Sequence, residues 1–323
     1  MYNFLVQDKA DTSERGSLTR YMWLSIAAAL VTMALKAAAY WYTGSVGLLS
    51  DALESLVNLA GAIMALAMLH VAEQPEDEDH AYGHGKAEYF SSGFEGALIL
   101  IAALAIAYAA VLRLMSPKPI EQIGLGLIIS TVASLVNLGV ALILMKAGKR
   151  RESITLEADA HHLLTDVWTS AGVIIGVGMV AVTGWQRLDP IVAIIVACNI
   201  LWVGGRIVYQ SIHGLMDSSL PPAELAVLRR ILDGHLKDGI GYHAFRTRRS
   251  GTRKFLSLHI LVPGEWTVQH SHDIVEIIEQ EICDELPTIN ILTHIEPIED
   301  PNSWRDIDLD RKPYSGEGRS CEK

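Results

Sequence analysis

Six apolar stretches of spanning length constrain this chain more than any other feature. They run Tyr21–Tyr42, Val46–Ala72, Tyr89–Leu114, Ile123–Met145, Leu156–Thr183 and Pro190–Ile212. Each has the ~20 residues that a helix needs to cross a hydrocarbon core about 30 Å thick. Lipid offers no partners to backbone N–H and C=O groups, so such stretches predict helices that satisfy their own backbone. From Asp217 onward the composition becomes ordinary and charged, which predicts a soluble domain after a membrane domain. The short connections YTGS, SPKPIEQ and TGWQRLD carry little net charge. The opposite segments hold Lys9, Arg15 and Arg20 at the N-terminus and Lys146, Lys149, Arg150 and Arg151 in KAGKRRES. The positive-inside rule then places both termini in the cytoplasm, in agreement with an even number of spans.

In the soluble part, PPAELAVLRRILDGHL has proline at a helix start and apolar residues at helical spacing. GYHAFRTRRSG and RKFLSLHILVP alternate as strands around a Ser-Gly turn. TVQHSHDIVEIIEQEICDEL is an amphipathic helix and INILTHIEP a third strand. The expected class is therefore an α-helical membrane protein of six spans with a small α+β domain of order αββαβ. The expected boundaries are a cytoplasmic N-terminus over 1–20, a membrane domain over 21–216, a soluble domain over 217–297 and a disordered charged tail over 298–323. The net charge of −11 and the lack of a basic stripe exclude nucleic acid as a partner. Cys198, Cys283 and Cys321 form no CxxC pair, which argues against a disulfide framework and a cysteine-rich zinc site. HExxH, GxSxG and phosphate-loop motifs are absent, so no enzyme class is indicated.

Polar residues inside the spans point to function, because each is costly in hydrocarbon. In the second stretch Asp51, Glu54 and Asn58 fall within about 60° of one another on a helix. The fifth stretch repeats the spacing with Asp159, His162 and Asp166 in EADAHHLLTD, while His161 points off that face. DALESLVN and DAHHLLTD align in their first two residues and in Leu56 with Leu164, as in a remnant of a three-helix duplication or in convergence on one task. If the two helices face each other, Glu54, Asn58, His162 and Asp166 form a four-ligand cage for a divalent cation. Asp51 and Asp159 are accessory candidates. The plainer alternative is interhelical hydrogen bonding, with Asn58 its best candidate.

A second constellation lies between the second and third stretches. Asp77, His80 and His84 in EQPEDEDHAYGHGKAE have D-x-x-H-x-x-x-H spacing suited to a transition metal, with Gly83 and Gly85 allowing a tight loop. A third is dispersed over the soluble domain: His243, His259, His272, His294 and Glu296, with His235 and His270 as extra candidates. Spacing alone does not distinguish these from surface histidines.

AYWYTGSVGLLSDALESLVN, PEDEDHAYGHGKAE, ADAHHLLTD, GLMDSSLP, FRTRRSG and HIEP, in that order, resemble the cation diffusion facilitator family. The resemblance is to its bacterial zinc/iron efflux branch. It implies a homodimeric exporter of divalent metal in the bacterial inner membrane, driven by inward proton flow through alternating access. It also implies that Glu54, Asn58, His162 and Asp166 form the transport site, and that Asp77, His80 and His84 form a loop site. His243, His259, His272, His294 and Glu296 would form cytoplasmic metal sites that brace two soluble domains. Lys86 and Asp217 match a charge pair between the loop and the start of the soluble domain. The family branch usually has two Asp where this chain has Glu54 and Asn58, and Asp where it has Glu296. An oxygen-rich set suits iron(II), manganese and cobalt better than zinc, which favours nitrogen and sulfur, so the metal stays open among zinc, cadmium, iron(II), cobalt and manganese. A rival reading is a membrane-anchored metal sensor or scaffold that does not transport.

Overall fold

The computed structural model describes residues 18–43, 46–116, 124–185, 187–236, 239–305 and 307–309. Exceptions are the side chains at 39–40, 42–43, 46–54, 57, 124–127, 130, 173, 176–178, 180–181 and 189. The sequence predicts disorder over 298–323, but Pro301–Trp304 form a short 3-10 helix capped by Asp300, with the Trp304 indole donating to the Ile298 carbonyl at 3.1 Å. Residues 306 and 310–323 lie outside the described residues. The chain divides into two compact units, Met1–Met216 and Asp217–Lys323.

The first unit is helical: α1 Thr19–Thr43, α2 Val46–Ala72, α3 Ala87–Met115, α4 Gly124–Arg151, α5 Ile154–Thr183 and α6 Leu188–Leu215. Among the described residues, the four segments Thr19–Ala38, Ala87–Met115, Thr131–Arg151 and Pro190–Leu215 are long and apolar enough to cross a membrane. The sequence places KAGKRR in a loop, but α4 runs through it to Arg151. Lys, Ala and Arg are strong helix formers, and Lys149, Arg150 and Arg151 occupy the last turn, where cations favour the negative end of the helix dipole. Glu152, with φ of 55°, then turns the chain into α5.

Apolar burial sorts these helices into two groups. Met22, Ala65, Leu69, Leu144, Leu156 and Leu163 join α1, α2, α4 and α5 in one cluster. Ile99, Ala103, Ala158, Ile200 and Ile207 join α3, α5 and α6 in another. Helix α5 belongs to both, which puts its polar face at the centre. Trp23, Ile101, Leu104, Leu142 and Trp202 are exposed, whereas Ser55, Glu95, Asn137, Asp159, His162 and Thr165 are buried. A membrane helix bundle is expected to show this polarity, with apolar residues toward lipid and ionisable ones inward.

Helices α3 and α6 meet through small residues. A Cβ added at Gly204 would lie 2.9 Å from Cγ2 of Ile99, and one at Gly96 would lie 2.8 Å from Cγ2 of Val208. Close approach of this kind is how membrane helices gain van der Waals contact without a hydrophobic driving force between them.

The second unit has α7 Pro222–His235, β1 Gly241–Ser250, β2 Arg253–Val262, α8 Val268–Glu285 and β3 Ile289–Pro297. The sheet order is β1-β2-β3, with β1 antiparallel and β3 parallel to β2. This is the αββαβ order expected from the alternating patterns. Along β2, Lys254, Leu256, Leu258, Ile260 and Val262 are buried, and four of these pack with Leu228, Leu232, Val275, Ile278 and Ile282 of the helices. The helices are started by Pro222 in the first turn of α7 and by Thr267, whose hydroxyl accepts the His270 amide, before α8.

Candidate metal centres

The central cluster lies where α2 and α5 meet. Asn58 donates its amide to Oδ2 of Asp166 at 2.5 Å, and its Oδ1 lies 2.9 Å from Nε2 of His162. His162 and Asp166 are four residues apart on α5, so they project from one face. Asn137 of α4 donates to the same Oδ2 at 3.2 Å. On the other side of the imidazole, Nδ1 lies 3.4 Å from Oε2 of Glu95 on α3. His162 therefore faces an oxygen at each ring nitrogen. Asp159, one turn before His162, is 2% exposed. The Glu54 and Asp51 side chains lie outside the described residues, although both positions belong to α2.

Three of the four expected cage residues are thus linked through Asn58, on the two helices where sequence spacing put them. Glu95 and Asn137 were not anticipated. A signal for each is present in the sequence: Glu95 is an acid within the third apolar stretch, and the string SLVNL that carries Asn58 recurs at 134–138 around Asn137.

The loop residues Asp77, His80 and His84 come together, with ligand-type atoms within 4.8 Å of one another. Asp77 Oδ1 accepts the His80 amide at 2.6 Å and lies 3.0 Å from its Nδ1, while Oδ2 lies 3.3 Å from Nε2 of His84. Desolvation pushes the Asp77 carboxyl up, but the His80 amide, the His80 ring and His84 together outweigh it and hold the group below the usual carboxylate range. A lowered carboxylate stabilises the folded loop above its unfolded pKa, and that stability is lost as pH falls through the folded value. Gly83 adopts φ of 77°, a conformation glycine favours, whereas Gly85 is not among the positive-φ residues.

In the second unit the strand register builds the site. His243 of β1 pairs with His259 of β2, which pairs with His294 of β3. A bulge between His243 and Arg246, with Ala244 at φ of 49°, ends this regular pairing just past His243. Alternation along a strand puts Glu296 on the same face as His294. Glu296 Oε2 lies 2.8 Å from Nε2 of His243 and 3.2 Å from Nδ1 of His259, and Oε1 lies 3.5 Å from Nε2 of His294. His272 is elsewhere, exposed on α8 and 3.8 Å from Glu276. His235 pairs with Glu281 at 3.1 Å, and His270 stacks against Trp266. Three imidazoles around one carboxylate are a donor set that zinc and similar cations accept.

Lys86 donates to the carbonyl of Leu215 at 3.3 Å within the first unit, and Asp217 accepts from Arg248 at 3.3 Å within the second.

Two family models cover nearly all of this architecture. The cation efflux transmembrane domain matches residues 22–216, and the cation efflux protein cytoplasmic domain matches residues 220–298. The chain belongs to the cation efflux family. It is 51% identical over 288 residues to the Synechocystis sp. protein named "Uncharacterized transporter sll1263", covering 89% of this chain and 93% of that protein. It is 29% identical over 272 residues to the Klebsiella pneumoniae cation-efflux pump FieF, covering 84% and 90%. A metal-bound C-terminal domain of the CzcD transporter from Thermotoga maritima is 25% identical, with a TM-score of 0.23, over 25% of this chain and 99% of that one. Membership in the cation efflux family makes this chain a membrane transporter of cations.

Proposed function

We propose that this chain exports divalent transition-metal cations in exchange for protons by alternating access, as a homodimer in a bacterial cytoplasmic membrane with both termini inside. The transport site is Glu54, Asn58, His162 and Asp166, with Asp51 and Asp159 as accessory groups. The observation that carries this reading is the pair of part-buried contacts, Asn58–His162 and Asn58–Asp166, across α2 and α5. Ligands must be deprotonated to coordinate, so protons and metal compete for the same groups. His162 suits the exchange. A protonated imidazole donates from both nitrogens, to the Asn58 and Glu95 oxygens; a metal-bound one donates from one. Histidine is also the side chain whose protonation changes most readily near neutral pH.

Cytoplasmic metal at His243, His259, His294 and Glu296 draws two soluble domains together, with His272 exposed and available to a second copy. This biases the inward-facing state through its differential affinity for the two states. Asp77, His80 and His84 hold a further ion in the loop. The transported ion is one of zinc, iron(II), cobalt, cadmium and manganese.

Proton-coupled metal flux into liposomes bearing the purified chain tests the core of this reading. His162→Ala and Asp166→Ala are expected to abolish flux; wild-type flux in both variants would show that the site is misassigned. Metal binding without flux in the wild type would favour a sensor.

A further inference from the structure

Glu95 takes no part in the transport site as read above, yet it is 1% exposed in the middle of the helical unit. Neither of its oxygens accepts a hydrogen bond from a described residue. Its electrostatic neighbours Asp159 and Asp166 are themselves acids. A buried carboxyl group without a donor is costly, which a chain sustains only for a purpose. The donor-bearing group it faces is the His162 imidazole, with Oε2 3.4 Å from Nδ1. Helix α2 makes room for this placement: Gly61 follows Asn58 by three residues, and a Cβ there would lie 2.9 Å from Oε1 of Glu95. The opposite ring nitrogen, Nε2, is the one turned to Asn58.

We propose that Glu95 is a positioning residue for the transport site: it accepts a hydrogen bond from Nδ1–H of His162, so that once Nε2 gives up the proton it donates to the Asn58 oxygen, the Nε2 lone pair is presented to a cation held with Asp166. The proposal rests on the assignment of His162 as a ligand. A metal-ligating histidine commonly donates its other ring N–H to a carboxylate, which selects the tautomer, fixes the ring and raises the basicity of the coordinating nitrogen. The present separation is longer than the ~2.7–2.9 Å of a charge-assisted hydrogen bond. Coordination at Nε2 makes the Nδ1–H a stronger donor, so closing that gap is coupled to cation binding.

The test is calorimetric titration of the full chain in lipid nanodiscs with Mn(II) and with Zn(II). The background carries Asp77→Ala, His84→Ala, His243→Ala and Glu296→Ala to silence the other clusters. Glu95→Leu is expected to weaken binding about 10–100-fold, the usual loss for an outer partner of a metal-bound histidine. Glu95→Gln, whose carbonyl accepts the same N–H, is expected to lose less. In a His162→Ala background neither substitution should weaken binding further, because the effect runs through the imidazole. Unchanged affinity in Glu95→Leu overturns the proposal, as does an equal loss with and without His162, which would mark Glu95 as a ligand or a purely structural residue. If Glu95→Leu does not fold, the Glu95→Gln pair with and without His162 decides in the same way. Asp166→Ala separates the two readings: binding retained there removes the transport site itself, whereas binding lost there and kept in the Glu95 variants removes only this role.

Discussion

Asn58 carries a tension that a single substitution can expose. Its amide neutralises Asp166 by donating at 2.5 Å, and its carbonyl faces His162 at 2.9 Å. Asn58→Asp replaces that donor with a second carboxylate, so the metal-free protein acquires a part-buried like-charge contact. Like charges in contact disfavour the charged forms, and a divalent cation relieves the repulsion. The variant is therefore expected to melt earlier without metal, and to bind Mn(II) or Zn(II) about tenfold more tightly, a gain of about 1.4 kcal/mol. Thermal unfolding of the full chain with and without metal reads both signs, and a lower melting point with unchanged affinity would remove Asn58 from the ligand set. At this scale Asn58, His162 and Asp166 were legible in the sequence, because carboxylates and imidazoles in a spanning stretch violate its composition. Glu95 breaks the same rule, but it is the one acid of the stretch Tyr89–Leu114, with no matched partner there to mark it. Asn137 is one neutral amide, and only the packing of α4 against α5 reveals its bond to Asp166.

At the scale of elements, two features depend on backbone approach. Helices α3 and α6 close upon each other at Gly204, where an added Cβ would lie 2.9 Å from Ile99 and 3.2 Å from Leu100. Gly204→Leu inserts a branched side chain there and is expected to cost about 1–3 kcal/mol, as overpacking of a filled core does. Thermal unfolding of the full chain in detergent measures it, with Gly205→Leu as the control, since nothing lies within 4 Å of a Cβ at Gly205. An equal loss in the two variants would show that the close approach is not what Gly204 provides. The strands show the same dependence. Alternation in RKFLSLHILV reveals which β2 residues face the core, but the row His243–His259–His294 comes from register and ends at the bulge that follows His243. Histidine spacing in the sequence carries no such information, because the three residues are brought together by two different strand pairings.

For the whole molecule, orientation follows from charge placed at the ends of the spans. Arg150 lies at the exposed end of α4, and Arg187 precedes α6 on a segment poor in net charge. In a background with Cys198, Cys283 and Cys321 replaced by serine, Arg150→Cys is expected to be protected from an impermeant thiol reagent in intact cells. Arg187→Cys is expected to be labelled. Labelling of both, or the reverse pattern, would invert or abandon the proposed topology. Six apolar stretches of spanning length, an αββαβ unit and polar residues at matched spacing in the second and fifth stretches are determined by the sequence alone. Each is a matter of composition or period along one element: spanning length, 3.6-residue spacing, two-residue alternation. What only the tertiary structure decided is which residues of different elements touch. Asp166 between two asparagines, His162 between Asn58 and Glu95, and Glu296 among three histidines arise from helix packing and strand register. Such contacts join residues up to 108 positions apart, and no local pattern encodes them.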